Sequence, residues 1–388
     1  MDYKVRFVNP QKHYAENREE YMAALDDVLS RGDLILRKDV EDFEQAIAAM
    51  VGTKYAVGLN SGTDTMFFAL KALGIGPGDE VITVSHTFIA SIAVIVQAGA
   101  TPVLVDVKDD FLMDVSQIEP AITPKTKAIL PVHLNGRVCG MDKVMEIAKK
   151  HNLYVIEDAA QALGAKYKGR YAGSFGDAGS FSLYPFKVLG CFGDGGVLTT
   201  DNEHIAEHAR LLRDHGQKTK TDIVLFGWNS RLDNVQASIL NKKLSHFTDW
   251  VARRREIAAM YDKGLAGISG VAVPPRQPAE SPKGIQAGPP QSDEVSLGGD
   301  ADHFDTYQNY VLRAEKRNEL AAYLQKHGVE TLVKDPVANH KHPNLGLSHF
   351  SLPVSERLAD EVISLPMHPN LENEETEYVI EQVRGFYS

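Results

Sequence analysis

The 388-residue sequence has few cysteines, no excess of basic residues and no long uninterrupted apolar segment. Its two cysteines, Cys139 and Cys191, are too few for a disulfide framework or a cysteine-based zinc site, which favours a reducing, cytoplasmic location. Acidic residues outnumber basic ones by 52 to 41, so we expect no general nucleic-acid binding and no binding to anionic membranes.

The apolar runs are also too short to cross a membrane. The most apolar stretch, residues 88–105, is interrupted by polar residues, a glycine and a proline, whereas a spanning helix needs about 20 apolar residues. The polar N-terminal region shows no secretory signal. With 43% hydrophobic and 24% charged residues, the composition is typical of a globular enzyme in aqueous solution.

Strand and helix patterns alternate along the first part of the chain. Short, apolar, β-branched runs such as GDEVITVS, TPVLVDV and NLYVIEDA are separated by amphipathic helical segments. This alternation predicts an α/β fold with a mostly parallel sheet covered by helices on both faces. A long helical stretch over residues 234–264 is expected to connect a large domain, residues 1–250, to a smaller C-terminal domain, residues 251–388.

The C-terminal part contains an unusual segment at residues 274–303, which is rich in proline, glycine, serine and acidic residues. This composition predicts a mobile surface loop. Beyond it, the hydrophobic pattern predicts strands at 306–314 and 329–333 and a last helix at about 372–386.

The first motif with chemical significance is the turn Asn60-Ser61-Gly62-Thr63, between a strand and a helix. Free backbone N–H groups at a helix N-terminus favour a phosphate, and Gly62 permits close backbone approach. The alternative is a simple helix cap without a ligand.

The second motif is Glu157-Asp158-Ala159-Ala160-Gln161, directly after an apolar strand. A carboxylate at the C-terminal end of a parallel strand lies in the ligand crevice of an open α/β sheet. If Asp158 is buried there it needs a cationic partner, for which a protonated pyridine nitrogen is suitable. The alternative is a loop carboxylate that caps the next helix.

The third motif places Lys187 in an apolar and aromatic segment, SFSLYPFK, followed by four glycines between positions 190 and 196. Burial lowers the pKa of a lysine and makes its amine nucleophilic, as a Schiff-base lysine requires. The alternative is a lysine whose ammonium extends to solvent.

The fourth motif, GWNSRLD, precedes the long helical stretch. Its Asn229 and Arg231, two residues apart, are able to reach one anionic group, or they belong to a capped helix start with surface charges.

In this order and spacing, with Lys187 29 residues after Asp158, the motifs resemble the DegT/DnrJ/EryC1/StrS family of pyridoxal-phosphate-dependent sugar aminotransferases. The resemblance extends over residues 7–385 and includes the segments DEVITVSHTFIAS, LLRDHGQ and LPMHPNL. It implies fold type I, in which a large domain with a mostly parallel seven-stranded sheet flanked by helices is joined to a smaller α+β C-terminal domain.

The resemblance also implies roles for individual residues. Lys187 is expected to form the Schiff base with pyridoxal 5′-phosphate (PLP) and to transfer protons, and Asp158 is expected to pair with the pyridine nitrogen. The other expected cofactor-binding residues are Gly62, Thr63, Phe88, Gln161, Ser182 and Asn229. Phe88 would stack on the ring, although a plain core phenylalanine is the alternative. Asn229 is expected to reach the cofactor phosphate of another subunit, which implies a homodimer with shared active sites.

The implied reaction moves an amino group from L-glutamate to a keto sugar through a pyridoxamine phosphate intermediate. The acceptor is expected to be a nucleotide-linked keto-deoxyhexose, whose product would enter lipopolysaccharide, glycan or antibiotic synthesis. The alternatives are a non-nucleotide keto sugar or cyclitol, PLP-dependent sugar dehydration, and a non-catalytic PLP-binding regulatory protein. Lysine at position 187 favours transamination over dehydration, since dehydrating relatives carry histidine there.

The sequence departs from the family pattern where a His-Tyr-Pro segment is often found, because the comparable region reads LVKDPVANHKHPNLG. His340 and His342 in this region are expected to contact substrate phosphate or hydroxyls, with a solvated loop as the alternative, and Tyr184 and Arg231 are expected to contact substrate as well. A His-x-His pair can suggest a metal site, but no further ligands stand at a suitable spacing, so we expect none.

Overall fold

The structure is a computed structural model that describes residues 3–274 and 302–388. Its helices are α1 Pro10–Arg31, α2 Lys38–Val51, α3 Gly62–Ala72, α4 Ala90–Gln97, α5 Ile118–Ala121, α6 Met141–His151, α7 Glu203–Arg213, α8 Asn234–Ser245, α9 Phe247–Leu265, α10 Arg317–Lys326, α11 Pro353–Glu361 and α12 Asn373–Phe386. Its strands are β1 Tyr55–Leu59, β2 Glu80–Val84, β3 Thr101–Val105, β4 Thr126–Ile129, β5 Tyr154–Asp158, β6 Lys166–Tyr167, β7 Arg170–Tyr171, β8 Ala178–Ser182, β9 Gly196–Thr200, β10 Gln217–Thr219, β11 Asp222–Ile223, β12 Val271–Ala272, β13 His303–Phe304, β14 Tyr310–Ala314 and β15 Val362–Leu365.

A seven-stranded sheet with the order β1-β9-β8-β5-β4-β2-β3 forms the centre of the larger part. Its strands pair in parallel except for β9, which runs antiparallel to both of its neighbours. Apart from one end residue each, β2 and β5 are fully buried, as expected for strands covered on both faces. The predicted fold class, with its mostly parallel seven-stranded sheet, is confirmed.

A second hydrophobic core lies in the C-terminal part, around the antiparallel sheet β12-β14-β15 and the helices α9, α10 and α12. It includes Tyr310, Leu320 and Val379, which are fully buried. Val5, near the start of the chain, is also buried in this core. The boundary at residue 250 stays a prediction, and the contribution of Val5 was not expected from the sequence.

Two predicted elements differ from the structure in detail. The stretch predicted to be helical over 234–264 is helical, but it forms two helices, α8 and α9, that meet at His246, whose N–H donates to the carbonyl of Lys243 at 3.1 Å. The strand expected at 329–333 is reduced to single bridges, from Val329 to Val5 and from Leu332 to Ser364.

The segment predicted as a mobile loop, 274–303, lies outside the described residues except for positions 274, 302 and 303. His303 begins strand β13, which pairs with β6. In the described ranges, no helix is long and apolar enough to cross a membrane.

The topology brings four chain segments to one edge of the central sheet. Because β1, β2, β5 and β8 run in the same direction, their C-terminal ends lie at the same edge. The residues that follow these strand ends begin α3, lead into α4, and carry Asp158 and the segment of Lys187. This is the edge at which open α/β sheets bind ligands.

Candidate active site

The N-terminus of α3 forms a tight turn with two free donors. Ser61 caps the helix, and its hydroxyl accepts a hydrogen bond from the Asp64 N–H at 3.1 Å. Within the described part of the chain, the N–H groups of Gly62 and Thr63 have no acceptor. A Cβ on Gly62 would lie 2.8 Å from the Cβ of Ser182, so only glycine lets the helix approach the end of β8 this closely.

Asp158 is buried at the end of β5 and both of its oxygens are held. Ser91 Oγ donates to Oδ2 at 2.6 Å, and the Ala160 N–H donates to Oδ1 at 3.1 Å. No residue in the ranges 3–274 and 302–388 forms an ion pair with this carboxylate. A buried carboxylate is stable when a cation faces it, and a protonated pyridine nitrogen meets that requirement.

Lys187 lies in the loop that follows β8, and the backbone of this loop is fixed on both sides of the lysine. The Val188 N–H donates to Gln308 Oε1 at 2.9 Å, and Gln308 Nε2 donates to the carbonyl of Phe186 at 2.8 Å. In the described residues, Lys187 Nζ has no hydrogen-bond or ion-pair partner. Burial, assisted by the positive charge of Lys334, lowers the pKa of Lys187 to about 7, while Asp158 opposes the shift.

Two further predicted cofactor-binding residues, Phe88 and Gln161, have side-chain groups available for a ligand. Phe88 is 56% exposed, so it is not the core phenylalanine of the alternative interpretation. The Oε1 atom of Gln161 accepts from the Asn135 N–H at 3.0 Å and from Asn309 Nδ2 at 3.3 Å. This leaves the NH₂ group of Gln161 as a donor, which suits a contact with a phenolic oxygen.

The GWNSRLD segment adjoins the turn at α3. Its two predicted site residues, Asn229 and Arg231, do not contribute to the site of their own chain. Ser230 Oγ donates to Asp64 Oδ2 at 2.6 Å, whereas the adjacent Asn229 is exposed. Arg231 forms an ion pair with Asp214 at 2.7 Å. Its guanidinium is therefore already engaged within the chain.

The remaining predicted substrate contacts have different surroundings. Tyr184 is 48% exposed, and its carbonyl accepts from the Lys187 N–H at 2.9 Å. His342 is exposed. His340 is completely buried, with Nδ1 2.7 Å from Ser85 Oγ and Nε2 3.1 Å from Glu356 Oε1. Because both ring nitrogens are engaged, we now expect His340 to position its segment and not to contact substrate.

Sequence reasoning missed Ser91, Gln308 and Lys334. Ser91 lies within the DEVITVSHTFIAS segment, but no local signal connects it to Asp158, which is 67 positions away. Gln308 stands in no recognisable motif. Lys334 lies in the LVKDPVANHKHPNLG region, where the departure from the family pattern was the available signal.

The residues at this edge of the sheet fit PLP. Free helix N–H groups and the nearby hydroxyl of Ser182 suit a phosphate, and the carboxylate of Asp158 suits a ring nitrogen. The weakly basic amine of Lys187 suits a carbonyl carbon. Together with the fold, these features define the class: a fold-type-I transferase that uses PLP.

Comparison with known proteins supports this class. The sequence pattern of the DegT/DnrJ/EryC1/StrS aminotransferase family matches residues 15–384. A dTDP-3-amino-3,4,6-trideoxy-α-D-glucose transaminase from Streptomyces venezuelae is 41% identical over 98% of this chain and 96% of its own length. A protein from Geobacillus stearothermophilus named a pleiotropic regulatory protein is 40% identical, with coverage of 99% and 98%.

A solved structure agrees with the sequence comparisons. The crystal structure of S. venezuelae DesV in complex with a ketimine intermediate matches with a TM-score of 0.90 and 40% identity, covering 100% of this chain and 99% of DesV. The chain belongs to the DegT/DnrJ/EryC1/StrS aminotransferase family. The family, the enzyme class and the cofactor predicted from the motifs are confirmed: the protein is a PLP-dependent aminotransferase.

Proposed function

We propose that this enzyme transfers an amino group from L-glutamate to a keto sugar linked to a nucleoside diphosphate. The observation that carries the proposal is the amine of Lys187, which has no partner in the described residues and lies at the sheet edge with buried Asp158 and the free donors of α3. The sugar-nucleotide activity of the S. venezuelae relative supports the choice of acceptor.

Each residue of the site has a separate task in this proposal. Bound PLP supplies an electron sink for the carbon that carries the amino group. The N–H groups of Gly62 and Thr63, with Ser182, hold its phosphate. Asp158 keeps the proton on the ring nitrogen, and Gln161 donates to the phenolic oxygen. Lys187 Nζ removes and returns the proton at the reacting carbon, for which a pKa near 7 is suitable.

We also propose a homodimer in which Asn229 of one chain reaches the phosphate of the other. The segment before Asn229 supports this arrangement, because Ile223 is 67% exposed and Phe226 is 99% exposed. Clustered exposed apolar side chains are typical of an interface. A cytoplasmic location is consistent with Cys139 and Cys191, which are buried free thiols. We place the product in lipopolysaccharide, glycan or antibiotic synthesis, since amino sugars are components of these polymers and compounds.

A mixing experiment tests the shared site. Lys187→Ala and Asn229→Ala dimers are each prepared, dissociated together and allowed to reassociate. If sites are shared, each mixed dimer has one intact site, so activity returns to about one quarter of the wild-type value in an equal mixture. No recovery, with mixed dimers verified by mass spectrometry, would contradict a shared site.

The proposed reaction is tested by visible spectroscopy of the holoenzyme. L-Glutamate should remove the band of the lysine-bound cofactor, a nucleotide-linked keto sugar should restore it, and Lys187→Ala should lack it. If only free keto sugars or cyclitols restore the band, the acceptor is one of these compounds and not a nucleotide-linked sugar. A deoxygenated product would indicate dehydration, and absence of cofactor binding would favour a regulatory role.

A further inference from the structure

One chain segment, residues 332–340, passes from the C-terminal core to the edge of the central sheet that carries the site, and it is fixed at both ends. At its start, Leu332 and Ser364 exchange backbone hydrogen bonds of 3.1 and 2.9 Å. At its end, Asn339 Nδ2 donates to the carbonyls of Ser85 and Thr87 at 3.0 and 2.7 Å. The segment that carries Lys334 is therefore tied at one end to β15 and at the other end to the residues that follow β2.

The second anchor is connected to Asp158 through hydroxyl groups. Thr87 Oγ1 lies 2.8 Å from Ser91 Oγ, which in turn donates to Asp158 Oδ2 at 2.6 Å. Three hydrogen bonds thus join Asn339 to the carboxylate expected at the pyridine nitrogen, the first on the backbone carbonyl of Thr87 and the second on its hydroxyl. The position of the segment relative to the site is determined by this short, buried network.

Lys334 is partly buried in this segment and its charge acts on the reacting group. In the described ranges its ammonium has no hydrogen bond and no ion pair, although the nearby carboxylates of Asp335 and Asp158 favour its charged form. Burial is the main cause that lowers the pKa of Lys334. The same ammonium contributes to the lowered pKa of Lys187, and this agrees with the position of the segment, which Asn339 ties to Ser85 and Thr87 at the edge of the sheet that carries Asp158.

The backbone at this point is unusual. Asp335 has a φ of 49°, in the left-handed region, although it directly precedes Pro336. Residues other than glycine adopt this region rarely, and such conformations persist where the surrounding structure determines them, often at ligand sites. Lys334 is thus presented by a constrained backbone.

Two neighbouring amines repel each other when both are protonated, so a negative charge beside them is favourable. A partly buried ammonium also needs acceptors for its three N–H donors. A carboxylate supplies both the negative charge and the acceptors. Asp335 is the adjacent carboxylate, but it forms no ion pair with Lys334 at hydrogen-bonding distance. The acceptor is therefore expected from a ligand that also reaches Lys187.

We propose that Lys334 is a specificity-determining residue that binds a carboxylate of the reacting ligand beside Lys187. This inference rests on the proposed function. The carboxylate has two sources: the amino donor, which always carries one, or an acceptor sugar oxidised to a uronic acid. Lys334 lies in the segment LVKDPVANHKHPNLG, where a departure from the His-Tyr-Pro pattern is expected from the sequence.

The donor is tested with glutarate, an unreactive dicarboxylate, titrated into the holoenzyme by calorimetry. Lys334→Met should weaken glutarate binding by about tenfold or more, and Lys334→Arg by less, because a hydrogen bond to a charged group is lost. Lys326→Met is the matched control, since it removes an exposed lysine from α10 of the same C-terminal part. Each variant must retain the visible cofactor band, which verifies folding and cofactor binding.

The acceptor is tested by the ratio of kcat/KM for a nucleotide-linked keto-hexuronate to that for the neutral keto-hexose. A tenfold fall in this ratio in Lys334→Met, with unchanged glutarate binding, assigns the carboxylate to the sugar. Weaker glutarate binding with an unchanged ratio assigns it to the donor. If neither changes while wild-type enzyme keeps its cofactor band and its response to glutamate, the inference is wrong and the proposed function stands.

Discussion

The two sides of the candidate active site are built in different ways. On the cofactor side, Gly62, Asp158 and Ser182 each lie at the end of a helix or strand, so the central sheet fixes them directly. On the opposite side, residues 332–340 are held by side-chain hydrogen bonds to a distant part of the chain. Ser85 and His340, which form one of these bonds, are 255 positions apart.

This difference separates a part of the site that is determined by topology from a part that depends on long-range contacts. Strand ends of a parallel sheet meet at one edge whatever the loops contain. The segment at 332–340 has no such constraint, since loops vary more easily than the elements that they connect. We therefore expect substitutions on the cofactor side to affect chemistry for every substrate, and those on the opposite side to affect selectivity and stability.

The largest effect is expected for Asp158→Asn. Because the carboxylate would no longer stabilise a proton on the ring nitrogen, the rate of the glutamate half-reaction should fall by about 10²–10³-fold, as for other preorganised electrostatic groups. The rate of this half-reaction is measured as the decay of the cofactor band in a single turnover. Ser91→Ala, which removes one hydrogen bond but no charge, should cost much less; an equal loss in both variants would contradict the charge argument.

Gln308→Ala should have the next largest effect, because Gln308 holds the backbone on both sides of Lys187. We expect kcat to fall by about 10–10²-fold, with a smaller change in KM, since misplacing a reacting group by about 1 Å has costs of this size. Gln236→Ala is the matched control, because Gln236 accepts from the Phe192 N–H at 2.9 Å in the same loop. A similar fall in kcat in the Gln308→Ala and Gln236→Ala variants would indicate that either substitution loosens the whole loop, and would contradict a specific role of Gln308.

The lowered pKa of Lys187 predicts a pH dependence of cofactor capture by the apoenzyme. The neutral amine attacks, so the rate of band formation should rise with pH and reach half its maximum near the pKa of about 7. Because the charge of Lys334 lowers this pKa, Lys334→Met should move the half-maximum to higher pH. Lys326→Met should leave it in place, and a shift to lower pH in Lys334→Met would contradict the assigned sign.

The smallest effect on chemistry is expected for His340→Ala. Loss of this buried ring removes its hydrogen bonds with Ser85 Oγ and Glu356 Oε1 and leaves the Ser85 hydroxyl only the backbone N–H of residue 340, so the free energy of unfolding should fall by about 1–3 kcal/mol. Urea denaturation of the holoenzyme measures this change. His342→Ala alters an exposed side chain and should change stability by less than about 0.5 kcal/mol. Equal stability of the two variants would remove the positioning role of His340.

Much of the cofactor side was predictable from local pattern. The sequence placed Asp158 after a buried strand, Gly62 at a helix start and Lys187 in an apolar segment, and the structure has these residues in those positions. The exposure of Phe88 also agrees with a role outside the core. The assigned roles of these residues stay predictions, because geometry alone does not show what they bind.

The contacts between distant parts of the chain were predicted less well. His340 is expected at a substrate from its type and neighbours, but in the fold it is buried by contacts with Ser85 and Glu356. Gln308 acts on a loop 120 positions earlier, and no periodicity in the sequence indicates such a pair. The division of the long helix at His246 likewise depends on how α8 and α9 pack on their neighbours.

The sequence by itself determined the alternation of strands and helices, the family and the residues at the strand ends, because these follow from local hydrophobic patterns and motif spacing. Only the tertiary structure decided which side chains share the site with Lys187 and which are consumed by internal hydrogen bonds. The physical reason is that partners such as Lys334 and Asp158 are brought together by packing of distant segments, and local propensities carry no information about such contacts.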